Sequence, residues 1–452
     1  MNHRKILGFL LPFTLGLALG TPADAGGVLF DDFDSAGATV GDDLSDPTDI
    51  AWTGSSSPVT QANISIGNKS FSSPRALYNQ GGGTYRYATG AIPALQSLTK
   101  PGQTLVLDLQ FRTNNANGNN SNDTSNGYQM GLFAPNGTGY FMNIAAGNNA
   151  SDLSWKKDTG PDIHLAGASD NVTLSSYGAG APTISDDDYD KIRLTFVRTI
   201  DGMSMAAEYA DDQAATPVTL TAGDTSIPVT SFDRIAVGLG DHGIDYWIDD
   251  VGLQSNDGSN YIPNGDFEQG NTGFDSNYTF SGSHGGGGSY GIVDNPNDWF
   301  GAMSVFGDHT TGSGLMLVGD GGPVTDNMVL GWTIPVVEGL PYNFVGYFAE
   351  AGGGTTVSQQ EFEIRLDGVP LTSIDLAGFS PGDWQELSYQ FVAPSTNPLA
   401  RLTIHALRTG GGGNNFVIDD IRFGVVPEPA TLVVWSLLAG LALGTARRRR
   451  SR

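Results

Sequence analysis

The sequence predicts an all-β protein: two tandem antiparallel β-sandwiches (jelly rolls) between an N-terminal signal peptide and a C-terminal transmembrane helix. Three observations predict it. Short runs of β-branched, aromatic and polar residues recur through the middle of the chain, separated by clusters of Asn, Gly, Ser and Asp. With 63 glycines and 23 prolines in 452 residues, and no sustained helical apolar period between the termini, long helices are improbable there. The two ends carry apolar spans of a different kind, each flanked by arginine or lysine.

At the N-terminus, Arg4 and Lys5 precede an apolar run from Ile6 to Leu19, and Ala23-Asp24-Ala25 forms an A-x-A cleavage site. Residues 1–25 are therefore expected to be a signal peptide, and the protein to be exported. The strand runs of the first unit are Leu105–Phe111, Gln129–Phe133, Lys191–Val197, Ser204–Tyr209 and Arg234–Gly238. Those of the second are Leu315–Val318, Asn343–Phe348, Glu361–Leu366, Gln385–Phe391 and Arg401–Ala406. In Glu361–Leu366, Phe362, Ile364 and Leu366 alternate with Glu361, Glu363 and Arg365, as in a strand with one wet face.

An internal echo divides the chain. Trp247-Ile248-Asp249-Asp250-Val251-Gly252-Leu253 matches Val417-Ile418-Asp419-Asp420-Ile421-Arg422-Phe423 in pattern. Each closing strand follows an opening one: Leu29-Phe30-Asp31-Asp32-Phe33-Asp34 in the first unit, Asn264-Gly265-Asp266-Phe267-Glu268 in the second. With Gln254–Tyr261 polar and turn-rich, domains are expected at 28–254 and 260–424, with residues 426–452 forming a tail. Sandwiches often pair their terminal strands, which would mark both ends of each unit.

Composition narrows the function. The chain has no cysteine, which excludes thiol nucleophiles and cysteine-ligated metals and leaves an exported fold without cross-links. Outside the two terminal segments, 15 basic residues face 46 acidic ones, a net charge of −31. That balance argues against nucleic acid and anionic lipid as partners and favours divalent cations or solubility in salt.

The acidic pairs are the candidate metal ligands. In a regular strand Val417, Asp419, Ile421 and Phe423 would share one face, with Ile418, Asp420 and Arg422 on the other. A carboxylate on an apolar face is costly unless paired or metal-bound. Opening strands could bring Asp266 or Glu268 to Asp419 and Asp420, and Asp32 or Asp34 to Asp249 and Asp250. Such carboxylates, with turn carbonyls, suit a structural Ca²⁺. Hydrogen bonding at a strand end, or a bulge that turns the aspartate outward, is the alternative.

The tail carries a resemblance. Pro427-Glu428-Pro429, an uncharged stretch from Ala430 to Ala446, and Arg447, Arg448, Arg449 and Arg450 occur in that order. About 17 residues at 1.5 Å per residue give roughly 25 Å, near the lower limit for a bilayer. This arrangement resembles the PEP-CTERM sorting signal of exopolysaccharide-producing bacteria. The resemblance implies a transient inner-membrane span, cutting by an exosortase-type processing enzyme, and delivery to the cell surface or extracellular matrix. Residues 260–424, through Asn264–Glu268, Asp383-Trp384 and Phe416–Phe423, look like the galactose-binding-like jelly roll of carbohydrate-binding modules, many of which hold a structural calcium near their terminal strands. Residues 28–254 are similar to concanavalin-like and laminin-G-like sandwiches.

No catalytic set stands out. The compact Glu-x-Asp-x-x-Glu arrangement of laminarinase-like sandwiches is missing, and the body's five histidines show no His-x-x-x-His spacing. Asp241-His242 and Asp308-His309, each after a glycine, read as rim-loop residues. Sugar binding would use flat aromatic faces beside polar groups. The candidates are Trp299, placed on a loop after Asn295-Pro296-Asn297-Asp298, with Tyr290, Trp332 and Trp384. Of these, Trp384 begins an alternating strand and reads more readily as core. The resulting expectation is a non-catalytic surface or matrix protein that binds polysaccharide. A structural matrix component binding protein partners is the alternative, and a glycan hydrolase or lyase a more remote one.

Overall fold

The computed structural model describes residues 26–31, 52–54, 77–79, 86–114, 128–144, 153–160, 171–177, 189–211, 218–239, 245–353, 360–394, 399–409 and 414–426. They form four antiparallel-rich sheets arranged as two sandwiches. In the first, Gly26–Asp31 pairs with Asp245–Asn256, which continues through Thr104–Asn114, Tyr189–Arg198 and Met203–Asp211 to Val218–Asp224. The facing sheet runs from Trp52–Gly54 through Arg86–Ser97, Ser231–Leu239, Tyr128–Phe133, Gly139–Ile144 and Ser154–Asp158 to Asn171–Ser176. Between them lie Leu107, Phe111, Leu132, Leu194, Phe196 and Phe232, at or near zero exposure. Alternation explains this core, because every second residue of each strand points between the sheets. The terminal strands pair as expected, Phe30 opposite Gly252 and Asp31 opposite Val251.

The second sandwich sets a four-stranded sheet (Asn327–Pro335, Leu399–Ala406, Glu361–Leu366, Val369–Asp375) against a six-stranded one. The latter orders Thr279–Phe280, Ser289–Val293, Met316–Asp320, Asn415–Val425, Pro341–Glu350 and Gln385–Val392. Phe348, Phe362 and Phe416 meet at its centre, with ring centroids 5.2 and 5.0 Å apart. A smaller cluster lies on the outer face of the six-stranded sheet. There Trp299 and Met303 cover Met316, Val318, Ala349 and Val417.

Two expectations are corrected. Asn264–Glu268 is a turn and not a strand: Asn264 and Phe267 take left-handed φ of 51° and 57°. Asn264 holds the turn, its amide donating to Gly270 O and Thr272 O, both at 2.8 Å. Gly265 lies so close to the closing strand that a Cβ there would fall 2.0 Å from Ile421 O. The second correction concerns the membrane. Among the described residues no helix is long and apolar enough to cross one, and the helix present, Pro296–Trp299, has four residues. The all-β sandwiches stand, but the transmembrane helix expected with them does not. With it go the transient membrane span, the PEP-CTERM assignment with its exosortase-type partner, and passage through the inner membrane, none of which the described structure supports. Pro427, Glu428, Pro429, Arg447, Arg448, Arg449 and Arg450 lie outside the described residues, as do residues 1–25.

Candidate functional site

The site is built where the closing strand of the second sandwich breaks its alternation. Asp419 pairs with Tyr347 and Arg422 with Val345, so Asp420 and Ile421 together oppose Gly346. This is a β-bulge, and Asp420 adopts φ 49° within it. The extra residue shifts the phase of the strand. Phe416, Ile418, Ile421 and Phe423 all enter the main core, while Val417 joins the outer cluster. Asp419 therefore does not share a face with Ile421 and Phe423, as unbroken alternation would require. It lies on the outer side, 1% exposed beneath the loop that follows Gly307.

That loop is tied down by its own residues. Asp308 accepts the backbone N–H groups of Thr310, Thr311 and Gly314 at 3.1, 2.8 and 2.6 Å, and the Thr311 hydroxyl at 2.9 Å. Burial opposes its charge, but these donors hold its carboxyl below the usual aspartate range. His309 N–H donates to Asp419 Oδ2 at 2.9 Å, and His309 Nδ1 lies 2.7 Å from Asp420 Oδ2, which also accepts the Thr310 hydroxyl. Glu268 closes the arrangement by accepting Leu315 N–H at 2.8 Å. A side chain at 314 would collide with it, since a Cβ there would lie 2.1 Å from Glu268 Oε1.

Among the described residues Asp419 accepts only backbone N–H groups, from His309 at 2.9 Å and from Asp420 at 2.8 Å. Burial, with the charges of Asp420 and Asp308 adding to it, pushes its carboxyl up to about 8. The residues expected as ligands are thus partly assembled. Asp419, Asp420 and Glu268 all border the same loop. Asp266 is exposed and accepts Glu268 N–H at 3.4 Å. Among the described residues no group of three or more His, Asp or Glu is placed to hold a metal ion by side chains alone. A calcium ion would fit this donor set only with backbone carbonyls completing its shell. Asp32 and Asp34 lie outside the described residues, and Asp249 and Asp250 are placed by backbone only. That backbone repeats the bulge: Asp249 opposes Gln110 and Gly252 opposes Asp108.

Above the carboxylates lies a half-exposed aromatic surface. The His309 ring stacks on Tyr347, centroids 3.5 Å apart and 16° from parallel, and Trp384 meets it edge-on at 5.8 Å. Phe306 extends the row, 6.2 Å from Trp384. Glu386, Asp420 and Arg422 all lie close enough to Tyr347 to influence its hydroxyl. Flat rings beside fixed donors and acceptors are what a pyranose face and its hydroxyls require.

Sequence patterning favoured other aromatics. Trp299 is 2% exposed, packed in the outer cluster with its indole N–H given to Ser281 O at 2.8 Å, and offers no open face. Tyr290 is buried and donates to Asn271 at 2.7 Å. Trp332 belongs to the main core. Trp384, which strand alternation assigns to the core, is the half-exposed one. His309 was legible only as a rim residue. Tyr347 carries no sequence signal of its own, because its role depends on the bulge opposite.

One further pattern is set aside by geometry. Gly287-Gly288-Ser289-Tyr290-Gly291 matches Gly-x-Ser-x-Gly in letters. Ser289, however, is buried in a strand and donates to Gly286 O at 2.5 Å, while His284 faces Asp320 at 2.8 Å. No strand-to-helix elbow is present.

No protein-family model and no curated protein matches the chain. Among solved structures, lectin II from Ulex europaeus is 10% identical, covering 51% of this chain and 100% of its own, with a TM-score of 0.33. The tandem CBM22-1–CBM22-2 domain from Paenibacillus barcinonensis Xyn10C is 11% identical over 89% of this chain and 98% of its own, TM-score 0.25. Carbohydrate-binding module CBM66 from Bacillus subtilis is 14% identical over 39% and 94%, TM-score 0.24. The chain is similar to these at low identity and low TM-score.

Proposed function

We propose that the chain is an exported, non-catalytic glycan-binding protein whose recognition surface is the outer face of the second sandwich around His309, Tyr347 and Trp384. The observation that carries this reading is the stacked His309–Tyr347 pair with Trp384 at its edge, beside the charged groups of Asp420 and Arg422. The rings would lie against the apolar face of a sugar, and the half-exposed Arg422 guanidinium would bond its hydroxyls. Calcium belongs to the same reading as a structural ion: bound by Asp419 with loop carbonyls and at most one neighbouring carboxylate, it would neutralise the buried carboxyl and hold the 308–314 loop under His309. It would supply no chemistry to a substrate.

The test is a glycan array followed by titration of residues 26–426, with and without EGTA. Binding that falls about tenfold or more in Trp384→Ala supports the reading. Binding that Trp384→Ala and Tyr347→Ala leave unchanged, or no binding to any glycan, overturns it.

A further inference from the structure

A second feature adjoins this surface. A groove of about 970 Å³ runs between the two sandwiches, at the upper end of the roughly 300–1,000 Å³ range of ligand sites and at a domain junction, where such sites concentrate. Asp420 and Arg422, which lie near Tyr347, also line this groove, so the two surfaces share residues.

The walls of the groove are fixed. The segment joining the sandwiches is hydrogen-bonded to both of them. Tyr261 N–H donates to Phe423 O at 2.7 Å, while the Tyr261 hydroxyl crosses to Gly102 O in the first sandwich. Val425 N–H donates to Gly258 O at 2.8 Å, Phe423 N–H to Asn260 Oδ1 at 3.1 Å, and Gly258 N–H to Asn256 Oδ1 at 2.7 Å. Gly102 takes φ 89°, and a Cβ there would lie 2.6 Å from Val425 Cγ2, so the first sandwich seats against the end of the closing strand with no room for a side chain. The sequence reads this segment as a polar linker; the structure makes it a brace.

The chemistry of the walls selects a ligand class. Each wall presents a guanidinium clamped by a carboxylate: Arg193 on Asp108 at 2.7 Å, and Arg401 on Asp275 at 2.8 Å. A clamped pair offers donors and acceptors at set positions, which matches paired hydroxyls. Gln254 from the first sandwich and Thr333 from the second add exposed amide and hydroxyl groups. Asp266 and Glu268 in the same lining disfavour a polyanion.

We infer that the groove is an extension of the glycan site, taking the continuation of a linear, hydroxyl-rich oligosaccharide whose first units rest on Tyr347, His309 and Trp384. The binding unit is then the tandem of sandwiches, and affinity grows with chain length. This rests on the glycan reading above, and the experiment separates the two. Ladders of xylo-, cello- and galacto-oligosaccharides are titrated against residues 26–426 and against two variants that fill the groove from opposite walls, Thr333→Trp and Gln254→Trp. Both positions are exposed, and an unchanged melting temperature confirms folding. The expected result is about a tenfold gain or more from trisaccharide to hexasaccharide in the wild type. Both variants should lose that gain and keep the trisaccharide affinity, whereas Trp384→Ala weakens every length. Absence of any length dependence, or a gain that survives both variants, overturns the inference while leaving the glycan reading in place. No binding by any ladder overturns both.

Discussion

Two of the buried aspartates, Asp224 in the first sandwich and Asp419 in the second, are treated in opposite ways. In the first, Asp224 sits 2.6 Å from Lys157 Nζ and accepts the Tyr140 hydroxyl at 2.7 Å, while Lys157 also donates to Ile227 O at 2.6 Å. Burial raises the cost of its charge, but the lysine and tyrosine hydrogen bonds more than offset this and bring its carboxyl down to about 2. In the second, Asp419 has backbone N–H donors and, among the described residues, no cationic side chain hydrogen-bonded to it, and its carboxyl rises to about 8. Asp224 is neutralised by the side chains packed around it. The second holds a carboxylate that needs a proton or a bound cation. Of these two, the carboxylate with an open valence is the one beside the candidate site.

The largest expected effect breaks the neutralised side. Lys157→Met leaves Asp224 buried without its cation and should cost about 3–5 kcal/mol in denaturant unfolding. Adding Asp224→Leu should recover much of that loss, since the penalty is the unpaired charge and not the missing pair. A full loss persisting in the double variant would show that packing around Lys157 matters more than charge.

Next comes the open side. Calcium at a hundredfold excess over its dissociation constant should stabilise the second sandwich by about 2.7 kcal/mol, read as a rise in melting temperature that EGTA reverses. Asp419→Asn should abolish the rise. Unchanged melting with calcium would remove the ion from the proposal and leave protonation as the way Asp419 is neutralised.

The pH dependence should then have opposite signs in the two units when no divalent cation is present. Asp224, with its depressed carboxyl, contributes stability above the ordinary aspartate range of about 4, and that contribution disappears as pH falls through about 2. Asp419, with its raised carboxyl, contributes fully below about pH 4 and loses its contribution as pH rises through about 8. Denaturant midpoints across this range should show an alkaline decline that Asp419→Asn flattens and an acid decline that it leaves alone.

The smallest expected effect on stability sharpens the contrast from the binding side. Trp384→Ala removes a half-exposed ring and should cost about 1 kcal/mol or less in unfolding, against the tenfold or greater loss of glycan affinity expected at the same position. A large stability loss would place Trp384 among the supports of the loop and not on the recognition surface.

Much of the scaffold was legible in advance. The Glu361–Leu366 strand has the bounds its alternation gives, and the other strand runs lie inside observed strands or overlap them closely. The Ile-Asp-Asp echo was visible too, though not its meaning. Both copies are bulges in which two residues oppose one. A period-two pattern cannot register an inserted residue, so the face assigned to Ile421 and Phe423 relative to Asp419 came out reversed. The aromatic assignments failed for a related reason. Trp299 follows loop-forming residues yet ends a short helix with its ring packed in the outer cluster, and Trp384 precedes an alternating strand yet packs only partly against that same cluster. Local composition reports the element a ring belongs to, but not what lies over it.

The sequence by itself determined the class of structure, because side-chain alternation and turn residues act over a few positions and need no distant partner. It also determined the acidity of the body and the absence of cross-links. Only the tertiary structure decided which carboxylate is left without a cation and which ring faces outward. Those outcomes depend on a loop near residue 309 meeting a bulge near residue 420, more than a hundred positions away. The brace between the sandwiches was settled in the same way, by contacts between Gly102, Tyr261 and Val425 that no local pattern encodes.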